Sequence, residues 1–157
     1  MNLRAVQRRL QVITERARST IGAHQAVTSM VIDENWAEAI HAISLSDKYA
    51  AWRSYDTTPD GSGIYSLVCR ENRPGRMTQA ELVVHPAWRG FGKEAGKHPP
   101  MRGWLAAPLI DRGGRNIGLI QLSDKYEGEF SEQDEAALVR LAQRASAAIQ
   151  RSTRPRS

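Results

Sequence analysis

The sequence predicts an α+β fold in which a central antiparallel sheet carries N- and C-terminal helices on one face, while short helices and loops cover the other. Three observations carry that prediction. An apolar stripe at helical spacing opens the chain, two runs with strand alternation follow it, and a glycine hairpin later leads into a small-residue amphipathic helix. Terminal helices and internal strands of this kind bury their apolar faces most readily as stacked layers. A chain of 157 residues is long enough for one core without disulfides or metal, so one domain is expected over 1–150, with 151–157 as a disordered tail.

Leu3, Val6, Leu10, Ile13 and Ala17 form a heptad-like seam that Gly22 can end, which predicts an entry helix over 1–20. The seam is too short for a free coiled coil and is expected to pack on the domain, on a second copy, or on both. His24 to Ile32 then alternates, with Val27, Ser29 and Val31 opposed to Thr28, Met30 and Ile32, and stops at Asp33-Glu34-Asn35. Ala39 to Leu45 repeats the pattern, setting His41, Ile43 and Leu45 against Ile40, Ala42 and Ser44, and the two strands are expected to pair. Residues 54–63 are turn chemistry, and Gly61-Ser62-Gly63 reads as the N-cap of a short helix at Ile64, Leu67 and Val68 that breaks at Arg73-Pro74-Gly75. Thr78-Gln-Ala-Glu81 is a capping box for another short helix ending near His85-Pro86. Residues 88–101 lack any period and read as a long loop. Trp104 to Ile110 and Arg115 to Asp124 flank Asp111-Arg-Gly-Gly114, an antiparallel hairpin. Ser131 and Asp134 then cap an exit helix over 131–150, whose buried face is Leu138, Leu141, Ala142, Ala145, Ala148 and Ile149.

The net charge is +5 and the isoelectric point about 9.8, yet the cations are concentrated at the ends. Residues 1–20 hold five arginines and one glutamate and residues 140–157 five arginines and no acid, which leaves the body from 21 to 139 with twelve bases and sixteen acids. A mildly acidic body with basic ends is not the footprint of a groove-binding domain, so no nucleic-acid partner is expected. One cysteine, Cys69, excludes an internal disulfide and fits a reducing compartment. No apolar run approaches the length of a membrane span, so no membrane partner is expected and the cytoplasm is the expected location. His24, His41, His85 and His98 form no metal-binding spacing with each other or with Cys69, so no metal and no required cofactor are expected.

One segment carries a family resemblance. Arg102-Gly-Trp-Leu-Ala-Ala-Pro-Leu, then Ile117-Gly-Leu-Ile-Gln-Leu-Ser-Asp-Lys125, then Phe130-Ser-Glu-Gln-Asp134-Glu135 resembles the C-terminal half of a GAF domain, and the likeness extends from Ile21 to Gln150. It implies a GAF-like, PAS-related fold and a non-catalytic, ligand-sensing module of bacterial signal transduction, most similar to those of sensor histidine kinases in two-component systems. It also implies a homodimer through the Leu3 to Ala17 and Leu138 to Ile149 faces, with any kinase or other output domain lying elsewhere. The unidentified small molecule would sit between the sheet and residues 60–101, with His41, Tyr65, Cys69, His85, Trp88 and Trp104 as candidate pocket residues.

In GAF domains of cyclic-nucleotide phosphodiesterases an Asn-Lys pair is followed by Phe and then Asp-Glu. Lys125, Phe130, Asp134 and Glu135 match, and Asp124 replaces the Asn, which weakens a cyclic-nucleotide reading. Physically, Lys125 at a strand end and Asp134 in a first helical turn suit an ion pair with Phe130 plugging the turn between them, a structural clasp. Two further readings stand beside the sensor: a ligand-free dimerisation scaffold, and a haem or bilin chromophore sensor using a histidine or Cys69. Bilin-binding relatives carry Cys-His where this chain has Cys69-Arg70, and a buried structural thiol is the simpler reading. The GAF-fold reductase of free methionine sulfoxide cycles through a disulfide, which one cysteine in a chain does not supply. Gly90-Phe-Gly92-Lys-Glu-Ala-Gly96-Lys97 lacks phosphate-loop spacing.

Overall fold

The computed structural model describes residues 2–32, 35–52, 64–86 and 100–153, the side chains of 32, 35–38, 152 and 153 excepted. The elements in chain order are α1 (Leu3–Ile21), β1 (Ala23–Ile32), β2 (Asn35–Leu45), a 3₁₀ segment (Asp47–Trp52), α2 (Tyr65–Glu71), β3 (Gly75–Met77), α3 (Gln79–Val84), β4 (Trp104–Ile110), β5 (Asn116–Lys125) and α4 (Glu132–Thr153). The strands form one antiparallel sheet in the order β2-β1-β5-β4-β3. The α+β architecture with terminal helices on one face is therefore as predicted.

The Asn2 side chain accepts from Ala5 N at the start of α1, and Gly22 ends the helix by donating its N–H to Arg18 O. The buried stripe is Val6, Leu10, Thr14, Ala17 and Ile21, while Leu3 is half exposed. This differs from the heptad seam in that Thr14 takes the buried place expected of Ile13 and Ile21 joins the stripe, as a helix keeping its own 3.6-residue period requires. Thr14 tolerates full burial because its hydroxyl donates to Leu10 O or shares a 2.6 Å hydrogen bond with Thr28 Oγ1 of β1. Arg9 reaches Ala148 O, and Tyr126 N, just ahead of α4, donates to Gly22 O, so α1 and α4 lie antiparallel.

Both helices pack on Ala26, Met30, Ala42, Leu105, Ala107, Leu109, Ile120 and Leu122. Each large side chain fully buried here, Leu10 or Leu138 for instance, contributes roughly 1.5–3 kcal/mol. Val6, Leu10 and Ala17 of α1 and the face of α4 from Leu138 to Ile149 are buried inside this core, while Leu3 is half exposed.

Further differences from the sequence reading are local. β2 starts at Asn35 rather than Ala39, β3 lies where a break was expected, and the 3₁₀ segment was not foreseen. The exit helix runs on to Thr153, into the stretch read as a tail, since nothing before Pro155 stops it. α2 begins without a side-chain cap at Ile64, and the proposed cap at 61–63 lies outside the described residues, as does most of the loop at 88–101. No described helix is long and apolar enough to cross a membrane.

Candidate functional site

The sheet face turned away from α1 and α4 is the candidate site. Strand alternation and register place Gln25, Val27 and Ser29 of β1 opposite Leu45, Ile43 and His41 of β2, and opposite Ser123, Gln121 and Leu119 of β5. On its β4 side this face carries a second apolar cluster of Ile64, Val68, Leu82, Trp104, Ala106 and Leu119, joined by Tyr65, Cys69 and Met77. α2 and α3 therefore roof β4 and β5. The 3₁₀ segment packs at β1 and β2.

Polar groups interrupt this apolar face in a regular way. Gln25 and Ser29 are buried on β1, and Ser123 is buried on β5. Gln25 donates to Pro100 O at 2.7 Å, Ser29 Oγ meets His41 Nδ1 at 2.9 Å, and Trp104 Nε1 donates to Gln121 Oε1 at 3.0 Å. Ser123 Oγ donates to the Gly103 carbonyl at 2.8 Å and accepts from Arg102 N. Burying such groups is costly unless they are paired. None of these four polar residues was singled out from sequence as a pocket residue, although each sits at a period-two position of a buried strand, which is the signal that could have found them.

The sequence candidates divide in space. Tyr65, Cys69 and Trp104 come together under α2, with Trp104 almost wholly buried. Cys69 Sγ lies 4.0 Å from Gly118 O, and burial pushes its thiol up to about 12, so it is protonated and unreactive at neutral pH. His41 sits on β2, separated from β4 by the two strands β1 and β5, beyond Ser29. His85 ends α3 as its C-cap, apart from His41. Trp88 lies outside the described residues. Among the described residues no group of three or more His, Cys, Asp or Glu converges as a metal site would require. Hydrogen bonding and apolar contact are what the described face offers.

A second polar group lies at one end of this face. Asp124 is buried in the left-handed region at φ 59°, where its carboxylate accepts from Lys48 Nζ and, at 2.6 Å, from Tyr49 OH. Burial raises its pKa, but the bonds from Lys48 and Tyr49 outweigh that and hold it below the ordinary value. Tyr49 is shifted upward, first by burial and then by its bond to Asp124. His24 stands beside them, its Nδ1 at 2.6 Å from Ser46 Oγ and its ring 4.6 Å from that of Tyr126. Burial first, then the charges of Lys48 and Arg18, lower its pKa against the pull of Asp124.

The GAF domain family model matches residues 5–149. The chain belongs to the GAF domain family. Its fold is similar to that of the GAF domain of a phosphoenolpyruvate-protein phosphotransferase from Coxiella burnetii, at 23% identity and a TM-score of 0.71 over 94% of this chain and 83% of that one. It is equally similar to a type II free methionine-R-sulfoxide reductase from Thermoplasma acidophilum, at 14% identity and a TM-score of 0.71 over 95% of each chain. A third likeness is to the cyanobacteriochrome TePixJ GAF domain, at 14% identity and a TM-score of 0.71 over 92% of this chain and 89% of that one. GAF folds thus occur in signalling proteins and in at least one enzyme.

In this GAF domain Lys125 Nζ pairs with Asp134 Oδ2, which also accepts from Ser131 N at 2.8 Å, while Ser131 Oγ accepts from Asp134 N at 3.1 Å. Phe130 is buried beneath α4. Burial raises the Asp134 pKa, and the bonds from Lys125 and Ser131 reverse that to a net lowering. The residue that departs from the phosphodiesterase pattern, Asp124, is thus the centre of its own buried network and stands next to the Lys125 pair.

Proposed function

We propose that this GAF domain is a non-catalytic sensory module of bacterial signal transduction, which binds a small molecule on the sheet face roofed by α2 and α3 and relays binding through α1 and α4. The carrying observation is the row of polar side chains, the buried Gln25, Ser29 and Ser123 and the half-buried Gln121, set at alternate positions in an otherwise apolar sheet face beside Trp104, Tyr65 and Cys69. Ligand sites combine apolar walls with a few placed polar groups in this way. Reactive thiol chemistry is disfavoured, because the chain has one cysteine and its thiol is pushed up to about 12. The module fits a two-component pathway with the output domain outside this sequence. A second copy would have to use the outer helical surface, where Leu3 and Val12 are about half exposed.

Native mass spectrometry of the purified protein tests this reading. The expected result is a mass excess lost on denaturation and absent from Ser29→Phe, which fills the floor of the site. An excess retained by Ser29→Phe would place the ligand elsewhere and refute this site, and no excess in protein purified from several bacterial hosts would favour a ligand-free scaffold. Visible absorption after expression with haem and bilin supplied would reveal a chromophore sensor.

A further inference from the structure

A cleft at the opposite edge of the sheet belongs to no part of that site. β3 pairs with β4 only from Trp104 to Ala106, so the edge of β4 beyond it faces the C-terminal half of α4 across a cleft of about 440 Å³. Pro108 and Ile110 form one wall, and Val139 and Ala147 the other. This edge is not a template for an added strand. Pro108 has no N–H to offer, and Ile110 N already donates to Ser146 Oγ at 3.1 Å.

Asn72, at the C-terminal end of α2, also lines the cleft. It is held in the left-handed region at φ 50°, and its Nδ2 donates to Gly114 O at 3.0 Å. Its Oδ1 is buried with no hydrogen-bond partner among the described residues. A buried acceptor left without a donor is costly, and such an atom in a native fold calls for an explanation. Arg112, exposed at the same cleft, makes no ion pair among the described residues.

The geometry points to a second ligand site, which takes a small flat aromatic carboxylic acid bearing one N–H or O–H donor. The ring lies between Pro108 and Val139, the donor satisfies Asn72 Oδ1, and the carboxylate meets the Arg112 guanidinium. The volume is within the range of small-molecule pockets. Because Asn72 ends the helix that carries Cys69, a ligand here would bridge that helix to α4.

Indole-3-carboxylate is a suitable probe, titrated to millimolar concentration against protein with labelled Ala, Ile and Val methyl groups. Saturable shifts are expected at Ile110, Val139 and Ala147, lost in Ala147→Phe, which fills the cleft from an exposed helical position. The 1-methyl analogue, lacking the donor, should bind roughly tenfold more weakly, and Arg112→Ala should weaken binding and remove its salt dependence. Absence of saturable shifts overturns the proposal, as do shifts confined to Val27, Val68 and Ala106 on the other face. Equal affinity of the 1-methyl analogue would show that water satisfies Asn72, and would also overturn it.

Discussion

Gly118 sits in the middle of the sheet at φ 146°, in β5 between β1 and β4. A Cβ built there would lie 1.9 Å from Ser29 O and 2.9 Å from Ser29 C. Real Cβ contacts begin near 3.0 Å, so Gly118→Ala must push β1 away by about an ångström along the Ser29 side of the ladder. Two costs follow. The positive φ adds roughly 1–3 kcal/mol for a residue with a side chain, and displacing β1 weakens one or two ladder hydrogen bonds of about 0.5–1.5 kcal/mol each. The expected loss is therefore about 1.5–6 kcal/mol, and it falls under the candidate site, since Ser29 holds His41 and Gly118 O faces Cys69. Gly114 separates the two costs, because it has φ 82° and no atom within 4 Å of a built Cβ. Gly114→Ala should lose only the conformational part. Urea unfolding followed by circular dichroism measures both, with midpoints converted through a common slope. If the two variants lost equal stability, the argument from the Ser29 contact would be wrong.

The Cys69 thiol, raised to about 12 by burial, should react with iodoacetamide far more slowly in the native protein at pH 8 than in urea; equal rates would contradict its burial. Stability should fall with acid in two stages. His24, whose pKa is lowered, favours its neutral form in the fold, so its contribution is complete above 6.5 and declines below it. Asp124 and Asp134, also lowered, keep their contribution above the unfolded carboxylate value near 3.8 and lose it as the pH drops through their folded values. Thermal midpoints from pH 7 to 3 should therefore show a shallow decline and then a steep one, with the first removed by His24→Gln; an unchanged first stage in that variant would reassign it. Finally, Thr14→Val should cost about 1–3 kcal/mol by leaving the Thr28 hydroxyl buried without its partner, and Thr14→Val with Thr28→Val should recover most of it. Additive losses in the double variant would show that the hydroxyl pair is not the source.

The regular elements were legible because each carries its own period or cap. The capping box at Thr78 and Glu81 closes as its spacing implies, and the Asp111 turn forms, with Asp111 Oδ1 accepting from Gly113 N and Arg115 N. The missed elements owe their form to distant partners. β3 is three residues long and begins at a glycine because any Cβ at Gly75 would meet the Trp104 ring at 2.5 Å, a reason found 29 positions along the chain. The 3₁₀ segment at Asp47–Trp52 has no period, and Asp124 holds it through Lys48 and Tyr49. In the site, Trp104, Tyr65 and Cys69 were legible as apolar residues of strand and helix. Gln25 and Gln121 were legible only as period-two positions of their strands, because a polar residue there does not say which face is covered until the roof is known.

The end of β5 is where the proposed relay acquires a physical basis. Four consecutive residues there face four different parts of the molecule. Ser123 bonds the backbone at Arg102 and Gly103 on the site face, Asp124 binds the 3₁₀ segment, and Lys125 binds the first turn of α4. Tyr126 donates its backbone N–H to Gly22 O after α1, and its hydroxyl accepts from Arg18. The Lys125 pair is itself partly buried and fastens the strand end to the first turn of α4. Asp124 is different, because its carboxylate is buried and its backbone is left-handed, so the strand end keeps this kink only while Lys48 and Tyr49 hold the side chain. A ligand that moved the 3₁₀ segment would act on the one residue whose conformation sets the direction in which Lys125 and Tyr126 leave the sheet. Coupling of this kind requires two arrangements of that end with different ligand affinities, and Asp124→Gly, which frees the same backbone conformation from its side-chain anchor, should uncouple the helices from the site while leaving the strand ladder intact.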